Sequence, residues 1–163
     1  MLRLQRLDEG HSAALLSFEL ANRAYFARTV PDRGDAYFVE FAARHAALLA
    51  EQATGRCHFH VMVDDGGAVL GRFNQIDVAD GCAELGFRVA QAASGRGLAK
   101  QGVRQVCALA RDEYRLQQLI ASASLENAAS LGVLRSTGFV PVGEFTLDGQ
   151  ACLRHLRELA TTA

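Results

Sequence analysis

The stretch Glu84-Leu-Gly-Phe-Arg-Val-Ala-Gln-Ala-Ala-Ser-Gly-Arg-Gly-Leu-Ala99 constrains this chain more than any other. Glu84, Gly86 and Arg88 alternate with Leu85, Phe87 and Val89, the period of a strand that shows different chemistry on its two faces. The strand runs into an arginine bracketed by Gly95 and Gly97, and a helical pattern follows. Glycine reaches backbone angles that aim successive N–H groups at one point, and a helix start adds unpaired amides and a positive dipole end. This is an anion-binding device whose natural occupant is a phosphate group. Arg96 strengthens that reading, because a purely structural turn would be served equally well by a neutral residue.

Two better-known glycine motifs do not fit. A dinucleotide fingerprint needs G-x-G-x-x-G opening a βαβ unit, whereas Gly95-x-Gly97 is next followed by glycine at 102. A nucleoside-triphosphate loop needs Gly-Lys-Ser/Thr, but Gly102 is followed by Val103-Arg104. Gly102 inside a helix costs up to about 1 kcal/mol against alanine, which predicts close backbone approach to a sheet or a ligand.

With 163 residues and a net charge of -1, the chain is read as one domain, 1–163, carrying no general field for nucleic acid or an anionic membrane. No run approaches the ~18 apolar residues of a membrane span. Cys57, Cys82, Cys107 and Cys152 are widely spaced in apolar segments, as small buried residues in a reducing compartment, so a cytoplasmic location is expected. His58 and His60 share a strand face without a third ligand at useful spacing, and no metal is assigned.

The rest of the pattern predicts a strand near residues 2–6, helices over 11–25 and 36–53, and strands over 58–64, 69–77 and 82–89. A helix follows Gly97 with Ala99, Val103, Val106, Cys107, Ala110 and Tyr114 on one stripe. A strand over 118–124, a helix capped by Asn127 and stopped at Gly138, and two strands turned at Asp148-Gly149 complete the order βααβββαβαββ. The fold class is α+β around a mixed sheet.

Ser94-Gly-Arg-Gly97-Leu-Ala99 resembles the acetyl-CoA pyrophosphate loop of the GNAT superfamily of N-acetyltransferases, Gln/Arg-x-x-Gly-x-Gly/Ala. Ala83–Val89 resembles that family's fourth strand, and Ala121–Ser130, closed by Gly138-Phe139, its second cofactor motif. Asn-x-x-Ser followed by Gly-Phe is similar to the Rim-type branch, which acetylates the N-termini of ribosomal proteins. The resemblance implies a mostly antiparallel mixed sheet of about seven strands with flanking helices. It implies acetyl-CoA bound by Ser94, Gly95, Arg96, Gly97, Leu98 and Ala99 at the pyrophosphate, by Phe87, Arg88 and Val89 along the pantetheine, and by Asn127. Two positions depart from the pattern: Ser94 replaces glutamine or arginine, and Leu134 stands where another branch has a tyrosine acid, leaving Ser130 as the nearest proton donor. Asn22, Arg23, Tyr25, Phe26 and Arg28 resemble the first-helix region that lines the acceptor site.

Transfer of an acetyl group to an amine needs a neutral nucleophile, a polarised carbonyl and a stabilised thiolate. An α-amine, with pKa near 8, is about one-tenth neutral at pH 7, whereas a lysine near 10.4 demands more help. Glu84 is the candidate base and Ser130 the candidate acid; a salt-bridged strand carboxylate and a first-turn serine remain the structural alternatives. The expected acceptor is a peptide N-terminus. A small amine is the alternative, as is a non-catalytic CoA-binding sensor, with a monomer or homodimer as the working unit.

Overall fold

The computed structural model describes residues 1–159, and its seven strands form one sheet in the order β1-β2-β3-β4-β5-β7-β6. β1 (Arg3–Arg6), β2 (His58–Val63), β3 (Val69–Ala79) and β4 (Cys82–Val89) are antiparallel neighbours. β5 (Gln118–Ser124), β7 (Gln150–Glu158) and β6 (Val140–Leu147) form the other half, also antiparallel. Asp80-Gly81 and Asp148-Gly149 have φ of 52° and 75°, and of 49° and 78°. Two left-handed residues in a two-residue loop give the turn whose twist matches its flanking strands, which fixes both hairpins.

The halves meet at a parallel junction that is short. Cys82 pairs with Gln118, Ala83 with Leu119 and Glu84 with Ile120, and the pairing stops there. β4 continues to Val89 and β5 to Ser124, so from Leu85 onward the two strands diverge into a fork with unpaired backbone on its inner edges.

Successive residues of β3 show why helices cover both faces. Arg72 reaches Glu19 of α1 (Ser12–Ala21), while Phe73, pointing oppositely, lies beneath Gly102 of the helix that follows the glycine loop. α2 (Arg23–Phe26), α3 (Asp35–Val39) and α4 (Phe41–Ala53) follow α1; α5 (Leu98–Asp112) and α6 (Ala128–Ser136) come after the fork. A Cβ on Gly102 would stand 2.1 Å from Phe73 Cζ, and Phe73 is fully buried, so the helical glycine marks close approach to the sheet. Phe73 also stacks on Phe87 with ring centroids 6.3 Å apart, which carries the α5 contact to the wall of the fork.

Both early helices break where the periodicity predicted continuity. At Asn22 the side-chain amide donates to Phe18 O at 2.9 Å and its Oδ1 accepts from the Gln91 amide at 2.9 Å. This competing side-chain to backbone bonding ends α1 and ties it to the loop after β4. Glu40, with φ of -97° and ψ of 15°, separates α3 from α4. α5 ends at Asp112, so Tyr114 lies beyond it and stacks flat on His58 at 3.6 Å; its hydroxyl is 2.9 Å from His60 Nε2. Burial pushes the His60 imidazole down to about 4. Cys57, Cys107 and Cys152 are buried, and burial raises the Cys57 thiol to about 11. No helix among the described residues is long and apolar enough to cross a membrane.

Candidate active site

The fork opens into a cavity of about 430 Å³. One wall is the end of β4, with Phe87, Arg88 and Val89. The floor is the glycine loop and first turn of α5: Ser94, Gly95, Gly97, Leu98, Ala99 and Lys100. Asn127, Ala129, Ser130 and Val133 close the α6 side, and Tyr25, Phe26, Arg28, Thr29 and Val30 close the side facing α2.

The loop is built to expose amides. Gly95 and Gly97 have φ of 77° and 75°, and a Cβ at either would meet nothing within 4 Å. Gly97 is the N-cap of α5, and Gln101 is the first residue to donate to a helical carbonyl, that of Gly97 at 3.0 Å. The amides of Leu98, Ala99 and Lys100 are therefore directed out of a fifteen-residue helix at its positive end. Ser94 does not reach into this row with its hydroxyl, which donates to Gln91 O at 2.7 Å.

On the α6 side, Asn127 Oδ1 accepts from the Ser130 amide at 3.2 Å, so Asn127 caps the helix and lines the cavity at once. Its Nδ2 and the Ser130 hydroxyl are left without a partner among the described residues. Leu134, by contrast, is buried in the core.

Ten of the twelve expected site residues line this cavity; Glu84 and Arg96 do not. Glu84 is exposed at the closed base of the fork, and four residues of strand rise separate it from Arg88 by about 13 Å. Arg96 is exposed and folds back to donate to Ala92 O at 3.1 Å, so its charge sits beside the loop. Thr29, Val30, Ala93, Lys100, Ala129 and Val133 were not anticipated. Lys100 could have been found in the first turn of α5, and Val133 by its spacing of three from Ser130, with Ala129 four residues before Val133. Thr29 and Val30 sit in a loop that carries no pattern.

Sequence reasoning also missed a buried carboxylate behind the β4 wall. Glu19 is 1% exposed, with Arg72 Nη1 at 2.8 Å, Arg88 Nη1 at 3.2 Å and Arg33 Nε at 3.5 Å. Arg88 lies over the Phe26 ring at 4.5 Å and Arg33 over the Tyr37 ring at 4.6 Å. Burial foremost, and the nearby Arg33 charge next, lower the Arg88 pKa, though a guanidinium stays charged at any working pH.

Residues 1–140 match the acetyltransferase (GNAT) domain family. The protein belongs to the GNAT acetyltransferase family. It is an N-acetyltransferase, and the fork of β4 and β5, the glycine loop and the α6 cap occupy its candidate active site. No curated protein sequence matches the chain significantly. Among solved structures, ribosomal-protein-S5-alanine acetyltransferase from Vibrio fischeri superimposes with a TM-score of 0.91 at 16% identity, covering 97% of this chain and 93% of that one. RimJ from Mycobacterium smegmatis, in complex with a CoA disulfide, gives 0.85 at 22% identity over 96% of this chain and 81% of its own. Spermidine N-acetyltransferase from Vibrio cholerae, in complex with CoA and spermine, gives 0.79 at 18% identity, covering 97% and 95%. At these identities the likeness establishes a shared fold, and the fold serves both protein and polyamine acetylation.

Proposed function

We propose that the protein transfers the acetyl group of acetyl-CoA to the N-terminal α-amine of a peptide or protein. The observation that carries this reading is the cavity's charge inventory. Arg28, Arg88 and Lys100 line it, and no Asp, Glu or His does among the described residues. A site without an internal base favours an amine already partly neutral near pH 7, and a site without carboxylates disfavours a polycationic amine.

Acetyl-CoA supplies an activated acyl thioester. The amides from Gly95 to Lys100 fit its pyrophosphate, since open space and a helix's positive end converge there. The unpaired β4 edge at Phe87 to Val89 would bind the pantetheine and polarise the carbonyl. Asn127 Nδ2 would hold the pantetheine from the α6 side, and Ser130 would donate a hydrogen bond to the departing thiolate, which takes up the proton that the amine loses as the N–C bond forms and the C–S bond breaks. Glu84 lies too far along β4 to touch an amine at Arg88, so a proton passing to it travels through water.

Thiol release from acetyl-CoA, measured with a free α-amine peptide, an Nα-blocked lysine peptide and spermidine, tests the reading. At pH 7 the first should turn over fastest, with a rate that climbs to about pH 8 and then levels as the amine becomes neutral. Faster turnover of spermidine would overturn it, and tight CoA binding with no turnover on any acceptor would favour a sensor.

A further inference from the structure

The cluster around Glu19 is unbalanced. Three guanidinium groups share one carboxylate, leaving two positive charges in excess in a pocket where Glu19 and Arg72 are almost wholly shielded from water. Arg72 Nε is buried with no hydrogen-bond partner among the described residues. The neighbouring Arg23 is held by Asp32 and Asp35 at 2.8 Å each, so that group carries one net negative charge and four arginines facing three carboxylates leave a single positive charge in excess overall. Buried charge is tolerated when paired, so an unpaired excess marks a place where an anion completes the arrangement.

Two features put that place within reach of the acceptor. Arg88 lines the acetyl-transfer cavity and also a small hollow beside it, whose walls hold Glu19 and Asp32 as well as Arg23 and Arg33. Arg33 is one-third exposed, and its only ion pair among the described residues is to Glu19 through Nε. Its two terminal nitrogens are therefore free, held in orientation by the Tyr37 ring behind the guanidinium.

We infer that Arg33 and Arg88, backed by Arg72, select acceptors bearing a carboxylate close to the reacting amine, and that the preferred acceptor is a peptide with an acidic side chain within its first few residues. This rests on the proposed acetylation of an α-amine. Glu19 sets the strength of the site by neutralising one of the three charges and anchoring both arginines. Arg33 is the specificity-determining residue, since it stands at the rim and outside the cavity where transfer occurs.

The test compares two peptides identical except for Asp or Asn at positions two and three, in the wild-type protein and in Arg33→Gln. Turnover is measured with acetyl-CoA, and peptide binding to the CoA-loaded protein is measured by calorimetry. The acidic peptide should show a kcat/KM about tenfold higher, mainly through KM and weakening with added salt. Arg33→Gln should erase most of that preference by raising KM for the acidic peptide to about that of the neutral one. Equal use of both peptides, or a preference that survives Arg33→Gln, would overturn the inference. Tighter binding of the acidic peptide without any transfer would sustain the anion site and count against the acetyl-transfer reading. A free amino acid preferred over its amide, with Arg33→Gln removing the difference, would sustain the anion site and replace the peptide with a small acceptor.

Discussion

The cavity and the cluster behind its β4 wall are made by different means. The side to which we assign the cofactor is backbone: amides from Gly95 to Lys100 and the open edge of β4, all within sixteen residues of sequence. The group behind the β4 wall, to which we assign acceptor selection, is side chain: Glu19, Arg33, Arg72 and Arg88 come from α1, a loop, β3 and β4 and meet only after folding, and of these Arg88 alone also lines the cavity. A site of the first kind tolerates change in its side chains but not in its backbone angles. A site of the second kind depends on each partner, because removing one leaves others buried and uncompensated.

The largest expected effect therefore lies in the Glu19 cluster. Glu19→Ala strands three neighbouring guanidinium groups and should cost about 3–5 kcal/mol of stability in denaturant titration. Near wild-type stability in that variant would mean the arginines find other partners and that the side-chain account is wrong.

Next comes acid sensitivity, which belongs to neither half. His60 is neutral in the folded protein with its pKa pushed down to about 4, while in the unfolded chain it titrates near 6.5. Between these values the unfolded state binds more protons, so stability is intact above pH 6.5 and is lost as pH falls towards 4, by up to about 3 kcal/mol. Thermal melts of the wild type and His60→Gln across that window should converge in slope only if His60 is not the cause.

Gly102→Ala should cost about 1–3 kcal/mol, because its Cβ would overlap the Phe73 ring in a packed core. Gly97→Ala meets open space and should cost only the left-handed backbone, about 1–2 kcal/mol, yet it should weaken CoA binding more than its stability loss suggests. Arg96→Ala should change CoA affinity by less than about fivefold, since its exposed guanidinium is turned onto Ala92 O. Calorimetric titration with CoA ranks the last two variants, and a greater loss in Arg96→Ala would reverse the backbone account.

The same contrast explains what could be read from the sequence. Glycines that need positive φ, Asp-Gly turns and the alternation along β4 are local signals, so the order of strands and helices along the chain, both hairpins and the positive-φ glycine loop before α5 were legible. Gly102 announced a close approach, and Phe73 supplied it. The helix breaks at Asn22 and Glu40 were not legible, because the periodicity runs on and only the bond from Gln91 to Asn22 shows why α1 stops. Glu84 drew attention as a carboxylate on a promising strand, but its distance from the cavity depends on where β4 and β5 part. Glu19 lies in a segment that reads as an ordinary helix, and nothing nearby in sequence reveals its arginines.

The most direct measurement uses one peptide carrying both a free N-terminus and an internal lysine, incubated with acetyl-CoA and fragmented in a mass spectrometer. The account predicts a single acetyl group on the N-terminal α-amine; an acetyl group on the lysine with the N-terminus left free would contradict it.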